Sequence, residues 1–407
     1  MQWLQVVTYV FWMNSRGKTM EAFSSSAPSA LVVSCFGLLL MAIIIGLLIN
    51  KLTIPSLDYL RQQAEKINAR KLLIVYILST VFLTSIRFLF GNAGGADQFL
   101  VVISSLKWVF FMAYGFIVWL RKKNVLIFIL IIGYEFAISL TSYFSSFKEV
   151  LLYAIIVALT FVTKVKTRQV IYGLLVAGVL GVLLLTWTAI KSDYRKFVNK
   201  GVQAQVVTVE RSEAIGKMQS EVKELTWKHY EFASNMVLYR IQYLYNLSLA
   251  MERVPYLIPY QNGAVWEENI SFVITPRALF PQKGIYNASA KARTFTGLNY
   301  SGIKEGSSFS LGYFADCYVD FGYIGMFLPI GLIGLFVGLI YRVFYKMENL
   351  NILLRFATIN ICLYNFTSFE ADGLFLFGRL LTTFIIYWVL ARTLFPWMQK
   401  WLYKKPT

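Results

Sequence analysis

Residues 29–50, SALVVSCFGLLLMAIIIGLLIN, run for 22 positions without one charged side chain. An α-helix of that length rises about 33 Å, enough to cross the hydrocarbon of a bilayer. In water it would need burial on every side, whereas in lipid it needs only its own backbone hydrogen bonds. Comparable apolar runs recur at 72–91, 98–120, 125–147, 149–164, 169–190, 315–341, 351–369 and 375–395. The pattern predicts an all-α polytopic membrane protein with about nine transmembrane helices.

Composition points the same way. Of 407 residues, 57% are hydrophobic and 15% charged, which excludes a soluble single-core enzyme. The single histidine, His229, and three cysteines without close spacing, Cys35, Cys317 and Cys362, speak against a zinc site or a disulfide framework, so no metal is expected. A net charge of +18 admits either nucleic acid or basic loops at a membrane face.

The placement of the charges decides. Eighteen Lys and Arg fall in one set of connections, at 51–71, 121–123, 164–168, 342–355 and 392–405. The opposite short connections hold three, Arg16, Lys18 and Lys148. Basic residues are retained in the cytoplasm during insertion, so the C-terminus is expected inside and the N-terminus outside. The expected order is an interfacial helix and outer segment over 1–28, transmembrane helices 1–6 over 29–190, a large periplasmic loop subdomain over 191–314, transmembrane helices 7–9 over 315–395, and a cytoplasmic tail over 396–407. The excess charge then reflects topology, and no nucleic-acid partner is needed.

A polar segment of more than a hundred residues is the place to look for chemistry. Residues 206–228 carry charge on most helical faces and read as a solvated helix or hairpin. Between Glu231 and Glu252 the chain is apolar almost all round, so that helix must be buried or partly sunk in the membrane surface, and its lone Arg240 needs either a carboxylate or a substrate phosphate. Pro255, Pro259, Pro276 and Pro281, with frequent glycines, read as a shaped loop rather than a helix. Arg277, Lys283, Lys291 and Arg293 fall within seventeen residues of one another, beside Phe280, Tyr286, Phe295 and Tyr300. Guanidinium groups grip phosphate oxygens bidentately and rings stack on the apolar face of a sugar. A basic rim on anionic lipid headgroups would use the same residue types.

In the same region Tyr260-Gln-Asn-Gly263, Ile274-Thr-Pro-Arg277, Leu279-Phe-Pro281-Gln-Lys283 and Ser307-Ser-Phe-Ser-Leu-Gly312 lead into Asp316-Cys-Tyr318-Val-Asp-Phe-Gly322-Tyr-Ile-Gly325. This order resembles the bacterial oligosaccharide repeat-unit polymerases of the O-antigen polymerase (Wzy) type, over about residues 255–345. Where that family's pattern has Glu before its Tyr-x-x-Phe-Gly run this chain has Asp316, and Asp320 stands where Asn is frequent. The resemblance implies a GT-C-like glycosyltransferase of the bacterial inner (cytoplasmic) membrane, its active site facing the periplasm. It implies transfer of a growing glycan from undecaprenyl diphosphate to a lipid-linked repeat unit, without a nucleotide sugar or other cofactor. The bilayer, an undecaprenyl-diphosphate-linked oligosaccharide and a chain-length regulator protein are the implied partners.

A lipid diphosphate leaves with negative charge, so such a site asks for fixed cations, and the acceptor hydroxyl asks for a base. Arg277 and Arg293 are the expected diphosphate grips, with Arg240, Lys283 and Arg379 behind them. Asp316 is the expected acid, with Asp320, Glu370 and Asp372 near it, and Tyr260 and Tyr318 are expected to bind substrate. Glu370, Asp372 and Arg379, at the turn SFEADGLF and just beyond it, read equally as a local ion pair between helix ends. Lys107 and Glu135 fall at mid-depth in adjacent spans and are expected to pair structurally. An O-antigen ligase would use nearly the same chemistry, and a flippase or transporter of lipid-linked sugar would share the composition. Transporters usually show related halves with polar midplane helices, and no such repeat is visible.

Overall fold

In the computed structural model, which describes residues 2–90, 97–140, 147–162, 165–201, 208–275, 280, 282–284, 286–302 and 308–404, the regular structure is helical, with one isolated bridge between Ile67 and Tyr403. The first half comprises α1 (Gln2–Asn14), α2 (Ala27–Ile49), α3 (Leu57–Lys66), α4 (Ala69–Phe90), α5 (Asp97–Ser104), α6 (Leu106–Arg121), α7 (Val125–Leu140), α8 (Phe147–Thr160) and α9 (Thr167–Val198). A polar cap follows, built from α10 (Arg211–Lys223), α11 (Trp227–Ile241), α12 (Leu244–Arg253), α13 (Ala264–Ile274) and α14 (Ala288–Thr296). The chain then returns through α15 (Tyr313–Gly325), α16 (Phe327–Tyr345), α17 (Ile352–Tyr364), α18 (Gly373–Arg392) and α19 (Leu394–Leu402).

Among the described residues, five helices are long and apolar enough to cross a membrane: Ala27–Ile49, Phe99–Arg121, Thr167–Val198, Phe327–Tyr345 and Gly373–Arg392. The apolar helices Val125–Ser139 and Ile352–Thr367 are shorter. The membrane reading rests also on what faces outward. Along α9, Val170, Ile171, Leu174, Leu175, Val179 and Val182 are exposed in succession, a surface that hydrocarbon stabilises and water does not. With 32 residues α9 rises about 48 Å, so one end stands clear of a bilayer about 30 Å thick. That end packs Trp187, Ile190, Tyr194 and Val198 against Ala214 of α10, forming a second small core under the cap.

Glycine sets the closest helix approach. A Cβ on Gly334 would lie 3.1 Å from the Met41 Cα, and one on Gly338 would lie 2.5 Å from Leu48 Cδ1, so α16 seats directly on α2.

The boundaries differ from those expected in four places. The run 315–341 is broken at Gly322, whose φ of 66° and ψ of −165° end one helix and let the next, α16, start at Phe327. The Tyr260 ring lies 3.0 Å from where a Gly322 Cβ would be, so the bend is also a close approach. Residues 1–28 do more than lie on an interface. The α1 backbone accepts from Tyr243 N at Gln5 O (3.1 Å), and the Gln2 side chain bonds to Tyr313 and to the Phe366 carbonyl. The proline-rich stretch contains two helices, α13 and α14, because its prolines bracket α13 rather than interrupt it. The tail includes α19, which buries Phe395, Met398 and Leu402, and Lys404 reaches Glu65 at 3.0 Å. The Lys107–Glu135 pair forms as expected, at 2.7 Å, and Tyr76 donates to the same carboxylate.

Candidate functional site

Two clusters of charge occupy the cap end of the bundle. The first is closed. Lys291 on α14 sits 2.8 Å from Asp316 Oδ1 and 2.9 Å from Oδ2, and 3.2 Å from Asp372 Oδ2. Asp316 Oδ2 also accepts from the Gly373 N–H (2.8 Å) and the Asn269 side chain (3.2 Å). Asp372 accepts from the Leu311 and Gly312 N–H groups (2.6 and 3.1 Å) and from the Tyr286 hydroxyl (2.8 Å). Both aspartates are 0% exposed. Burial pushes the Asp316 carboxyl up to about 6, with Lys291 pulling it down and the Asp372 carboxylate pushing it further up. Burial opposes charge on Lys291, and the two carboxylates more than offset it, raising its value. The cluster fastens α13, α14, α15 and α18 into one unit.

Other residues expected at the site serve the same fastening. Asp320 accepts from Val265 N (3.1 Å) and Trp266 N (2.8 Å), so its carboxylate supplies the N-terminal cap of α13. Lys283 caps the other end of that helix, donating to the Thr275 carbonyl (2.8 Å) and to that of Phe272. Arg293 donates to the Tyr300 carbonyl at 3.0 Å. Tyr318 is buried and donates to the Val254 carbonyl at 3.0 Å, with Tyr260 edge-on to it at 6.1 Å. Of the expected sugar-stacking rings, Phe295 is core, Tyr300 stacks on Phe309, and Phe280 is exposed. Arg277, the other expected grip, lies outside the described residues.

The second cluster is open. Where the ends of α8, α9, α11 and α18 meet, Lys148, Lys191, Arg195 and Arg240 lie within one another's electrostatic reach, with Glu370 among them. Arg379, two turns into α18, faces Glu370, Glu149 and Tyr364, and its guanidinium lies 5.6 Å from the Phe375 ring centre. Among the described residues, Lys148, Lys191, Arg240 and Arg379 form no ion pair. Lys148, Arg240, Glu370 and Arg379 are exposed to water. Yet protein surrounds Lys148, Glu370 and Arg379 on most sides, so the place is a partly enclosed recess rather than an open surface. Burial raises the Glu370 carboxyl above the usual range, against the pull of Ser368, Arg240, Arg379 and Lys148.

The structure thus brings together Arg240, Glu370 and Arg379, and parts them from Asp316, Lys283, Arg293, Asp320, Tyr260 and Tyr318. Among the described residues Arg240 forms no ion pair, although Glu370 lies within its electrostatic reach, and Asp372 turns inward to Lys291 rather than to Arg379. Lys191 and Arg195 were not legible as site residues. Lys148 carried a signal, as one of three cations lying against the charge bias. Among the described residues no cluster of three or more His, Cys, Asp or Glu could hold a metal ion. A recess with unbalanced cations, one exposed acid and neighbouring rings can hold a polyanion and place a hydroxyl beside a carboxylate.

The fold is that of a helical protein with five helices, among the described residues, long and apolar enough to cross a membrane, and with the cation cluster at its cap end. The model of a family described as a domain of unknown function (DUF8712) matches residues 7–396, and the chain belongs to that family. No curated protein and no solved structure matches the chain.

Proposed function

We propose that this protein is a lipid-diphosphate-dependent glycan polymerase that lengthens an undecaprenyl-linked oligosaccharide at the outer face of a bacterial inner membrane. The observation that carries the reading is the recess where Lys148, Lys191, Arg240 and Arg379 converge, forming no ion pair among the described residues. Cations that outnumber the acids beside them, Glu370 and Glu149, repel one another, a cost that a bound polyanion removes. A diphosphate supplies that charge, and its departure with an electron pair is the step such a site stabilises. Tyr364 and Phe375, beside Arg379, offer ring faces to a sugar. The resemblance over 255–345 adds Arg277 as a further grip. The bias of Lys and Arg toward the opposite end supports a periplasmic recess, and nine spans with a GT-C-like plan are the topology that goes with it.

The test is glycan length on a gel from a strain lacking the protein. Single repeats that become a ladder when the wild-type chain returns support the polymerase. Lipid-linked polymer that is never transferred points to a ligase, and repeat units trapped in the cytoplasm point to a flippase.

A further inference from the structure

Three of the four carboxylates that the sequence offers for proton transfer are buried away from any substrate in solution. Asp316 and Asp372 are sealed around Lys291 and backbone N–H groups, and Asp320 caps α13 with both oxygens. Glu370 stands two residues before Asp372 and is placed in the opposite way: it reaches water. Its charged neighbours come from three directions, Lys148 from α8, Arg240 from α11 and Arg379 from α18, and Lys191 and Arg195 of α9 stand beside Lys148 and Arg240. The Ser368 side chain bonds to it, and Tyr243 lies close by.

We infer that Glu370 is the catalytic base, the group that takes the proton of the acceptor sugar's hydroxyl. The inference deepens the polymerase reading and rests on it. In the step, the hydroxyl oxygen bonds to the anomeric carbon of the donor glycan. The bond from that carbon to the diphosphate oxygen breaks, and its electron pair leaves with the lipid diphosphate, whose charge the recess cations hold. The hydroxyl proton passes to the Glu370 carboxylate and from there to water. A simple counter-ion role fits less well, because Arg379 already has Glu149 beside it and Glu370 alone does not balance Lys148 and Arg240. Burial also makes the Glu370 carboxylate more basic than an exposed one, the direction a proton acceptor needs.

The experiment compares wild type, Glu370→Gln and Glu370→Asp in lipid nanodiscs, supplied with the lipid-linked repeat extracted from the deletion strain. General-base catalysis contributes roughly 10²–10⁴-fold, so Glu370→Gln is expected to slow chain extension by that order, with KM unchanged or lower. Inorganic pyrophosphate should raise the melting temperature of Glu370→Gln at least as much as that of wild type, since a negative charge has been removed from the site. Glu370→Asp should recover part of the rate, and its behaviour decides the matter if the Gln variant does not fold. Full activity in Glu370→Gln, or loss of its pyrophosphate stabilisation, overturns the inference while the polymerase reading stands. If wild type itself restores no ladder to the deletion strain, it is the polymerase reading that fails.

Discussion

The two charge clusters at the cap end use the same side chains to opposite ends. Around Lys291 both aspartates are buried, each lies within ion-pair distance of the one lysine, and backbone N–H groups bond to Asp316 Oδ2 and Asp372 Oδ1. Around Glu370 cations outnumber acids and water reaches the group. A buried ion cluster holds together only when each member is matched, because an unmatched charge in a dry interior is costly. An unmatched cluster is tolerated where water screens it, and its unsatisfied charge is then available to a ligand. The first cluster is therefore a fastening and the second a receptor, and each variant below tests one side of that division.

The largest effect is expected from Lys291→Met. It leaves Asp316 and Asp372 facing each other in a dry site, a loss of about 3–5 kcal/mol by comparison with other buried pairs deprived of one partner. Thermal unfolding in detergent should show it as a large fall in melting temperature. The triple variant Lys291→Met, Asp316→Asn, Asp372→Asn should recover much of that loss, since no uncompensated charge remains. A triple variant no more stable than the single one would mean that hydrogen bonds, not charge balance, hold the fastening.

Next comes Arg240→Ala. Removing one cation from an electrostatic site of this kind costs on the order of 10²–10³ in rate. Chain extension should fall by that much while the melting temperature holds or rises, because repulsion on Lys148 and Lys191 is relieved. A fall in stability like that of Lys291→Met would erase the distinction between the clusters.

How much of this was readable follows from distances along the chain. The apolar runs were, since a span is a local pattern, and the break at Gly322 was missed because an apolar run does not reveal a bend set by Tyr260 packing. Arg240 was conspicuous as a lone cation in an apolar helix, and Glu370 and Arg379 as charges at a span's end. Their meeting with Lys148 and Lys191 was not readable, because it depends on four helix ends converging. Nor was the capture of Lys291: a lysine among three other basic residues looks like part of a patch, and only the fold turns it toward Asp316.

A pH series separates the clusters without mutation. The Asp316 carboxyl has a folded value of about 6, above the 3.8 it has without the fold. Between those values the folded protein keeps a proton that the unfolded chain has released. This group's contribution to stability is thus full below about pH 4 and is lost as pH rises through 6. Lys291, also raised, contributes below the ordinary lysine range and loses that contribution as pH climbs through its folded value. Melting temperatures of wild type and Asp316→Asn should therefore differ in slope between pH 4 and 6, and pyrophosphate should not change that difference. A slope that vanishes when pyrophosphate binds would join the two clusters into one site.

The smallest effect is expected at Asp320, and it is the sharpest check on what a carboxylate in this cap is for. Asp320 lies one turn after Asp316 on α15, inside the stretch that resembles polymerases, so position alone would give both a share in catalysis. Its two oxygens instead accept from two open N–H groups of α13, of which Asn can serve one and Ala neither. Asp320→Asn should cost less stability than Asp320→Ala, which should cost about 1 kcal/mol, and in both chain extension should fall only as far as the folded fraction does. Should Asp320→Asn abolish chain extension in a fully folded protein, the carboxylate's charge acts on substrate, and the line drawn here between fastening and receptor runs through α15 rather than beside it.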